Sequence, residues 1–308
     1  LGKDYILKMK RDLPPVVFAI SILNLPKMKS SDGFYSNLDI EKFHGYTPDD
    51  CPAIEMSLKK KIASRELSGS RIETDYETVD FAELQSVKNC TLDGDLMPFL
   101  PLEIAFDYNA NINWVVTGQE YTFEGVPSLM TLSSMYVKNE RKLRELCQDW
   151  CKYYAPHKST CNVVHYYYDA TAKQGSYAIA GVQAFWQVVV EELTSRGWNV
   201  VGHDLGRPMD HPLKHKEIND AFRGVSNPYP RFNEDNNKAL IVAMENTGVR
   251  VGTRGFEKDK SKEKYVETEF DPLELRTDGT DAWDTLFLGV KFYKSSMLSC
   301  VAPRVSGR

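Results

Sequence analysis

Five aspartates carry the chemistry that this 308-residue sequence offers most plainly. Asp107 closes the short apolar run at residues 102–106, and Asp169 closes another at 163–168. Asp278, Asp281 and Asp284 gather near the start of the last helix the sequence predicts. Carboxylates brought together repel one another, and their charge is costly unless a cation neutralises it. Ligation by oxygen alone favours Mg2+ or Mn2+ over zinc. Two such ions on shared carboxylates polarise a phosphodiester, activate a water and stabilise the leaving oxygen. Each aspartate has an ordinary reading too, as a turn former after a strand or an N-cap at a helix start. Their joint placement, two strand ends and one helix start, is what favours a metal site.

The elements that must position these acids are legible from about residue 100 onward. Residues 102–106, 111–121 and 129–137 read as three consecutive strands, with the polar turn Tyr108-Asn109-Ala110-Asn111 joining the first two. Residues 140–154 carry Leu143, Leu146 and Trp150 at helical spacing. A strand at 163–168 follows, then a helix over 177–195 that Gly197 stops, then a strand at 198–201. Helices are expected at 212–222, 236–247 and 280–292. Consecutive strands on short turns pair antiparallel, whereas strands separated by helices add in parallel through right-handed crossovers. The fold class is therefore α/β: a mixed five-stranded sheet, three antiparallel strands followed by parallel additions, with helices on both faces. If the first and fourth strands are neighbours, Asp107 and Asp169 emerge at the same edge.

The segment before residue 99 reads as short elements and connectors. Pro14-Pro15 breaks any helix begun upstream. Ser30-Ser31-Asp32-Gly33 signals a turn, and the run Lys59-Lys60-Lys61 gives way to acidic residues over 73–83.

Basic residues flank the acids. The stretch 250–264 holds six basic residues against three acidic ones. Its Arg250, Arg254, Lys258 and Lys260 are candidates for sequence-independent phosphate contact, and Lys258 also for a place near the metal site. Lys173 stands four residues after Asp169 and faces the same edge. The loop with His203, Asp204, Asp210, His211 and His215 matches no regular zinc spacing and reads as structural or substrate-side. Lys214 and Lys216, on the helix after it, are under a nuclease reading further candidates for DNA contact. His165 lies mid-strand among tyrosines and reads as a packed core residue.

The element order resembles that of the RNase H-like nucleases and integrases. Residues 100–293 look more narrowly like the nuclease domain of the large terminase subunit of tailed phages, the DNA-packaging motor. The segments that carry the resemblance are Ile104-Ala105-Phe106-Asp107-Tyr108-Asn109, Tyr167-Tyr168-Asp169-Ala170-Thr171-Ala172, Gly255-Phe256-Glu257-Lys258-Asp259-Lys260 with Glu263 following, and Thr277-Asp278-Gly279-Thr280-Asp281-Ala282. The resemblance implies metal-binding, catalytic roles for Asp107, Asp169 and Asp281. Asp278 and Asp284 remain alternatives for the third position. Asp281 ranks first because it fits both registers of the last segment, followed by Asp278 and then Asp284. Also implied are Mg2+ or Mn2+ as cofactor, two ions by the chemistry above, and concatemeric double-stranded DNA as substrate. The implied protein partners are a portal and a small terminase subunit, in the cytoplasm of an infected bacterium. No Walker A sequence occurs. The chain begins at Leu1, so residues 1–98 are expected to be a linker and the end of a preceding ATPase region, and 99–308 the nuclease domain. Two other readings stay open. One is a transposase, integrase or resolvase with the same chemistry, and the other is a non-catalytic RNase H-like interaction module.

Composition is compatible with this. A hydrophobic content of 42% and a charged content of 26% describe an ordinary globular chain. The net charge of −5 excludes a basic nucleic-acid coat but not a nuclease with a local basic patch. No apolar run approaches the ~20 residues of a membrane span, and no secretory signal follows Leu1. The six cysteines contain no C-x-x-C pair. Cys147, Cys151 and Cys161 could in principle hold zinc, but free thiols in a reducing compartment are the simpler expectation.

Overall fold

The computed structural model describes residues 33–47, 89–174, 183–252, 255–268 and 271–294. Its centre is a sheet of strands β1 (Gly45–Tyr46), β2 (Leu102–Tyr108), β3 (Ile112–Phe123), β4 (Val126–Lys138), β5 (Val163–Tyr168), β6 (Asn199–Asp204) and β7 (Tyr229–Asn233). Their spatial order is β1-β7-β4-β3-β2-β5-β6. β2 pairs antiparallel with β3, and β3 with β4. β5 joins β2 in parallel, and β6 joins β5 in parallel. The five expected strands thus form the expected three-plus-two sheet.

The sheet has seven strands among the described residues, not five. β7 pairs in parallel with β4, and β1 with β7. Proline hid β7 from the sequence reading, because Pro230 lies inside it and Pro228 just before it. Proline cannot donate to a ladder and normally marks an edge. Here β1 pairs with β7 at Phe232 and Asn233, two residues beyond Pro230.

Helices α1 (Leu143–Tyr153), α2 (Ala155–Lys158) and α3 (Phe185–Ser195) accompany α4 (His211–Phe222), α5 (Lys238–Asn246) and α6 (Asp278–Gly289). Of the helix expected over 177–195, residues 177–182 lie outside the described residues, and α3 forms the remainder from Phe185. A small antiparallel hairpin, β8 (Val249–Gly252) and β9 (Gly255–Lys258), stands apart from the main sheet. Among the described residues, no helix is long and apolar enough to cross a membrane.

Two cores cover the two sheet faces, as alternation along the strands requires. Leu102, Ile104 and Phe106 join Leu146, Trp150, Val188 and Leu193 on one side. Ala105, Trp114 and Tyr167 join Trp283, Leu286 and Phe287 on the other. α6 is the central helix of that second face. Its Trp283 stacks on Phe222, with centroids 5.7 Å apart, and donates its indole N–H to Thr131 Oγ1 at 3.1 Å. Close approach is built in at both ends of α6. A Cβ at Gly279 would stand 3.0 Å from the Trp114 ring, and one at Gly289 only 2.3 Å from Tyr167.

The described part of the first segment belongs to this body. Phe34, Tyr35, Leu38 and Ile40 are buried in the α6-side core, and β1 extends the sheet. Asp95, also fully buried, accepts hydrogen bonds on one oxygen from Tyr46 Oη at 2.8 Å and Asn233 Nδ2 at 2.7 Å. Its other oxygen has no hydrogen-bond partner. Residues 1–32 and 48–88, including the basic run at 59–61 and the acidic stretch, lie outside the described residues.

Burial raises the Asp95 carboxyl to about 6, against the hydrogen bonds from Asn233 and Tyr46. A carboxyl raised in the folded state penalises folding while it is charged, above about 6, and the penalty fades as pH falls towards the unfolded value near 4. Asp95→Asn is therefore expected to stabilise the protein by roughly 1–3 kcal/mol at pH 7.5. Denaturant titrations across pH should show the gain vanishing by about pH 4. A gain that is absent at pH 7.5, or that grows on acidification, would contradict this.

Candidate metal centre

Strand geometry brings Asp107 and Asp169 to one edge. The β2–β5 register pairs Ala105 with Tyr167, and continued two residues it sets Asp107 level with Asp169. Both lie at C-terminal strand ends. Asp107 has the parity of Ala105, whose side chain faces α6, so it projects to the α6 side. The Asp107 position is still inside β2 and pairs with Trp114 of β3.

α6 begins at that edge. Asp278 and Asp281 occupy its first turn, where the helix dipole favours negative charge. Asp284 follows one turn after Asp281, so the three acids share a helix face. Burial is the largest influence on the Asp107 carboxyl and raises it well above the usual carboxylate range. The charges of Asp281 and Asp278 raise it further, and Lys260 opposes them. The charges of Asp281 and Asp278 on α6 are thus felt at Asp107 on β2.

The three α6 acids differ in what holds them. Asp278 is buried and accepts a hydrogen bond from Asn109 Nδ2 at 2.7 Å. Its carboxyl is raised by burial, against that hydrogen bond. Burial would also raise Asp281, but Lys258, Lys260 and Lys214 outweigh it and hold this carboxyl well below the usual range. Lys258 Nζ lies 2.8 Å from Asp281 Oδ1, and Lys260 Nζ pairs with Asp281 Oδ2. Asp284 is wholly buried. It is paired with Lys258 at 2.6 Å and Lys214 at 3.4 Å, and Tyr35 Oη donates to it at 2.7 Å. With both oxygens committed to internal partners, Asp284 is a structural counter-ion. Asp281, whose side chain keeps 18% of its surface exposed, is the accessible member of the set.

Lys258 is the keystone of this arrangement. Its side chain is fully buried, donates to Thr280 Oγ1 at 3.0 Å, and bridges Asp281 and Asp284. The rings of Phe34 and Tyr35 flank the ammonium, with centroids 5.0 and 5.2 Å away. Burial would make the proton easier to lose, but the two aspartates more than offset this and raise the ammonium above its ordinary range.

Asp169 has a different setting. It caps the short turn Ala170–Lys173, accepting from Thr171 N at 2.8 Å. It also lines a cavity of about 240 Å³ with Lys214, Met209, Leu288 and Thr285. Thr285 donates its hydroxyl to the Asp281 carbonyl at 2.9 Å, so this cavity opens one helical turn along α6 from Asp281.

The predicted phosphate-contacting residues are scattered and internally paired. Lys173 pairs with Asp204, Lys216 with Asp220 at 2.8 Å, and Arg250 with Glu257 at 2.9 Å. Lys214, Lys258 and Lys260 all turn towards the α6 acids, and Arg254 lies outside the described residues. His165 is only partly buried and pairs with His203, Nδ1 to Nε2, at 2.9 Å. Cys90, Cys147, Cys151 and Cys161 are free thiols.

Sequence reasoning missed Tyr35 and Phe34, which complete the lysine's cage from a segment read as a connector. The adjacent aromatic pair after Gly33 was the available signal. It also passed over Asn109 as a turn residue, although it holds Asp278.

The donor set suits a hard divalent cation in kind. All of the converging groups are carboxylates, and the charge crowding on Asp107 is the kind that a cation relieves. Asp107 and Asp281 would hold such an ion, with Asp278 and Asp169 as the acids at hand. Among the described residues, no three acidic, histidine or cysteine groups are already drawn together closely enough to hold one.

No family model matches the chain, and no curated protein matches it. Similar solved structures include the nuclease domain of the P22 large terminase. That likeness has 10% identity, covers 64% of this chain and 81% of the other, and has a TM-score of 0.37. Another is the nuclease domain of the large terminase (g2p) from bacteriophage SPP1 with bound Mn, at 10% identity, 64% and 90% coverage and a TM-score of 0.36. Sheet register, burial and charge carry the residue assignments.

Lys258→Met would strand two buried carboxylates without their shared cation. Breaking a buried pair in this way costs about 3–5 kcal/mol. The variant should unfold at a clearly lower urea concentration at pH 7, with the deficit shrinking in acid as the carboxylates take up protons. An unchanged midpoint would contradict the keystone role.

Proposed function

We propose that the chain is a divalent-metal-dependent nuclease. On this reading it hydrolyses phosphodiester bonds of double-stranded DNA in the manner of a viral DNA-packaging terminase large subunit. The observation that supports it most is that the first turn of α6, with Asp278 and Asp281, packs against the end of β2 that carries Asp107: Asn109 binds Asp278, and Gly279 lies against Trp114, the cross-strand partner of Asp107. Asp169 stands level with Asp107 on the adjacent parallel strand. Mg2+ or Mn2+ bound there would activate a water and stabilise the charge of the departing oxygen. Asp107 and Asp281 are the ligands of first choice, followed by Asp169 and Asp278. Asn109 orients Asp278, and Lys258 fixes Asp281 Oδ1 so that its carboxylate keeps one orientation. Lys173, Lys216 and Arg250 are partly exposed, in ion pairs that contribute little, and can exchange their carboxylate partners for DNA phosphates. The packaging role, with a portal and a small terminase subunit as partners, rests on the sequence resemblance.

The reading is tested by nicking and linearisation of plasmid DNA in Mn2+ or Mg2+. Asp107→Asn and Asp281→Asn should each reduce the cleavage rate by at least about 100-fold, with thermal unfolding showing a folded protein. Cleavage by both variants at the rate of the unsubstituted chain would rule the assignment out.

A further inference from the structure

Three lysines face the α6 acids, and they are not equivalent. Lys258 is fully buried, donates to Thr280, bridges two aspartates and is walled by two aromatic rings. Lys214 is turned to Asp284, 3.4 Å away, with only 12% of its side chain exposed. Lys260 is different. It sits just past the end of β9, keeps 35% of its side chain exposed, and pairs with Asp281 Oδ2. Its charge also reaches Asp107, where it is the chief influence opposing Asp281 and Asp278. A second carboxylate stands within its reach: Glu263 Oε1 is 3.4 Å from Lys260 Nζ, three residues along the same segment.

We infer that Lys260 is the built-in counter-ion of the acid centre. Its ammonium holds Asp281 Oδ2, an oxygen that a divalent ion would need, and it moves over to Glu263 when the ion arrives. This rests on the metal reading proposed above. The physical argument is one of charge. Lys258 neutralises Asp281 through Oδ1, and Lys260 pairs with its other oxygen, Oδ2. With no ion bound, Lys260 supplies the positive charge at Oδ2. A divalent cation brings twice the charge to the same spot, so it displaces the ammonium without leaving the carboxylates bare. Lysine suits this task because its charge is a single point on a flexible stem, which can leave one carboxylate for another.

The inference makes Lys260 a competitor of the metal, which a direct binding measurement reads without any cleavage assay. Mn2+ is titrated calorimetrically into the full 308-residue chain and into Lys260→Met, with Lys260→Gln as a second neutral variant and Lys260→Arg as the charge-retaining one. Thermal unfolding with and without Mn2+ is followed in parallel. The neutral variants should bind Mn2+ about tenfold or more tightly than the original chain. They should melt earlier without the ion and gain more stability from it. Lys260→Arg should bind no more tightly than the original chain. If the original chain binds Mn2+ and the folded neutral variants bind it equally or more weakly, the counter-ion role is overturned while the metal reading stands. If neither the original nor the neutral variants take up Mn2+, both fall together.

Discussion

A single ammonium, that of Lys258, sets the terms for the rest of the acid edge. It lies within ion-pair distance of two carboxylates on successive turns of α6, both inside the protein. Such a pair forms only if the helix is held at one rotation and one depth, because a buried charge left unpartnered is heavily penalised. Phe34 and Tyr35 exclude water from one side of it, and Tyr35 also donates to Asp284. The hairpin that carries Lys258, the central helix and a segment from near the start of the chain are thereby locked together. With α6 so fixed, Asp281 presents one oxygen inward and one outward.

The sheet supplies the other half of the geometry. Parallel pairing of β2 with β5 puts residues of equal parity side by side with the same facing, and so brings Asp107 and Asp169 level. Antiparallel pairing of β2 with β3 shields the strand that carries Asp107 on its other side. The two glycines of α6 let the helix backbone approach Trp114 and Tyr167 closely, which brings its first turn down to the level of the strand ends. A larger residue at either position would lift the helix and separate Asp281 from Asp107.

Much of this was legible in the sequence, and what was not has identifiable causes. The strands that carry Asp107 and Asp169 are short apolar runs ending in a charged residue, and such runs announce their own ends. The three-plus-two order followed from which strands are separated by helices. β7 was missed because Pro228 and Pro230 signal an interruption, whereas the structure places Pro230 on a part of the strand where β1 does not compete for its missing N–H. β1 is two residues long and leaves no periodic trace. The choice among Asp278, Asp281 and Asp284 turns on contacts from Lys258, Lys214, Tyr35 and Asn109, residues remote in sequence whose proximity no local pattern encodes. The sequence marked Lys258 for a place near the acids, but not as a fully buried residue. Its burial depends on two aromatic residues from a segment with no visible pattern.

The charge arrangement also explains how a cluster of acids folds on its internal charges alone. Converging carboxylates in a partly buried site must be protonated, paired with internal cations or separated by solvent. This protein uses the first two together. Asp107 and Asp278 are pushed towards the protonated form, while Asp281 and Asp284 are held by lysines. The division follows exposure and reach. Lys258 at the end of β9 and Lys214 on α4 reach the α6 acids Asp281 and Asp284, and at Asp107 the charge of Lys260 only partly opposes burial. A group that is reluctant to ionise and stands beside one held firmly ionised gives the edge a graded response to incoming positive charge.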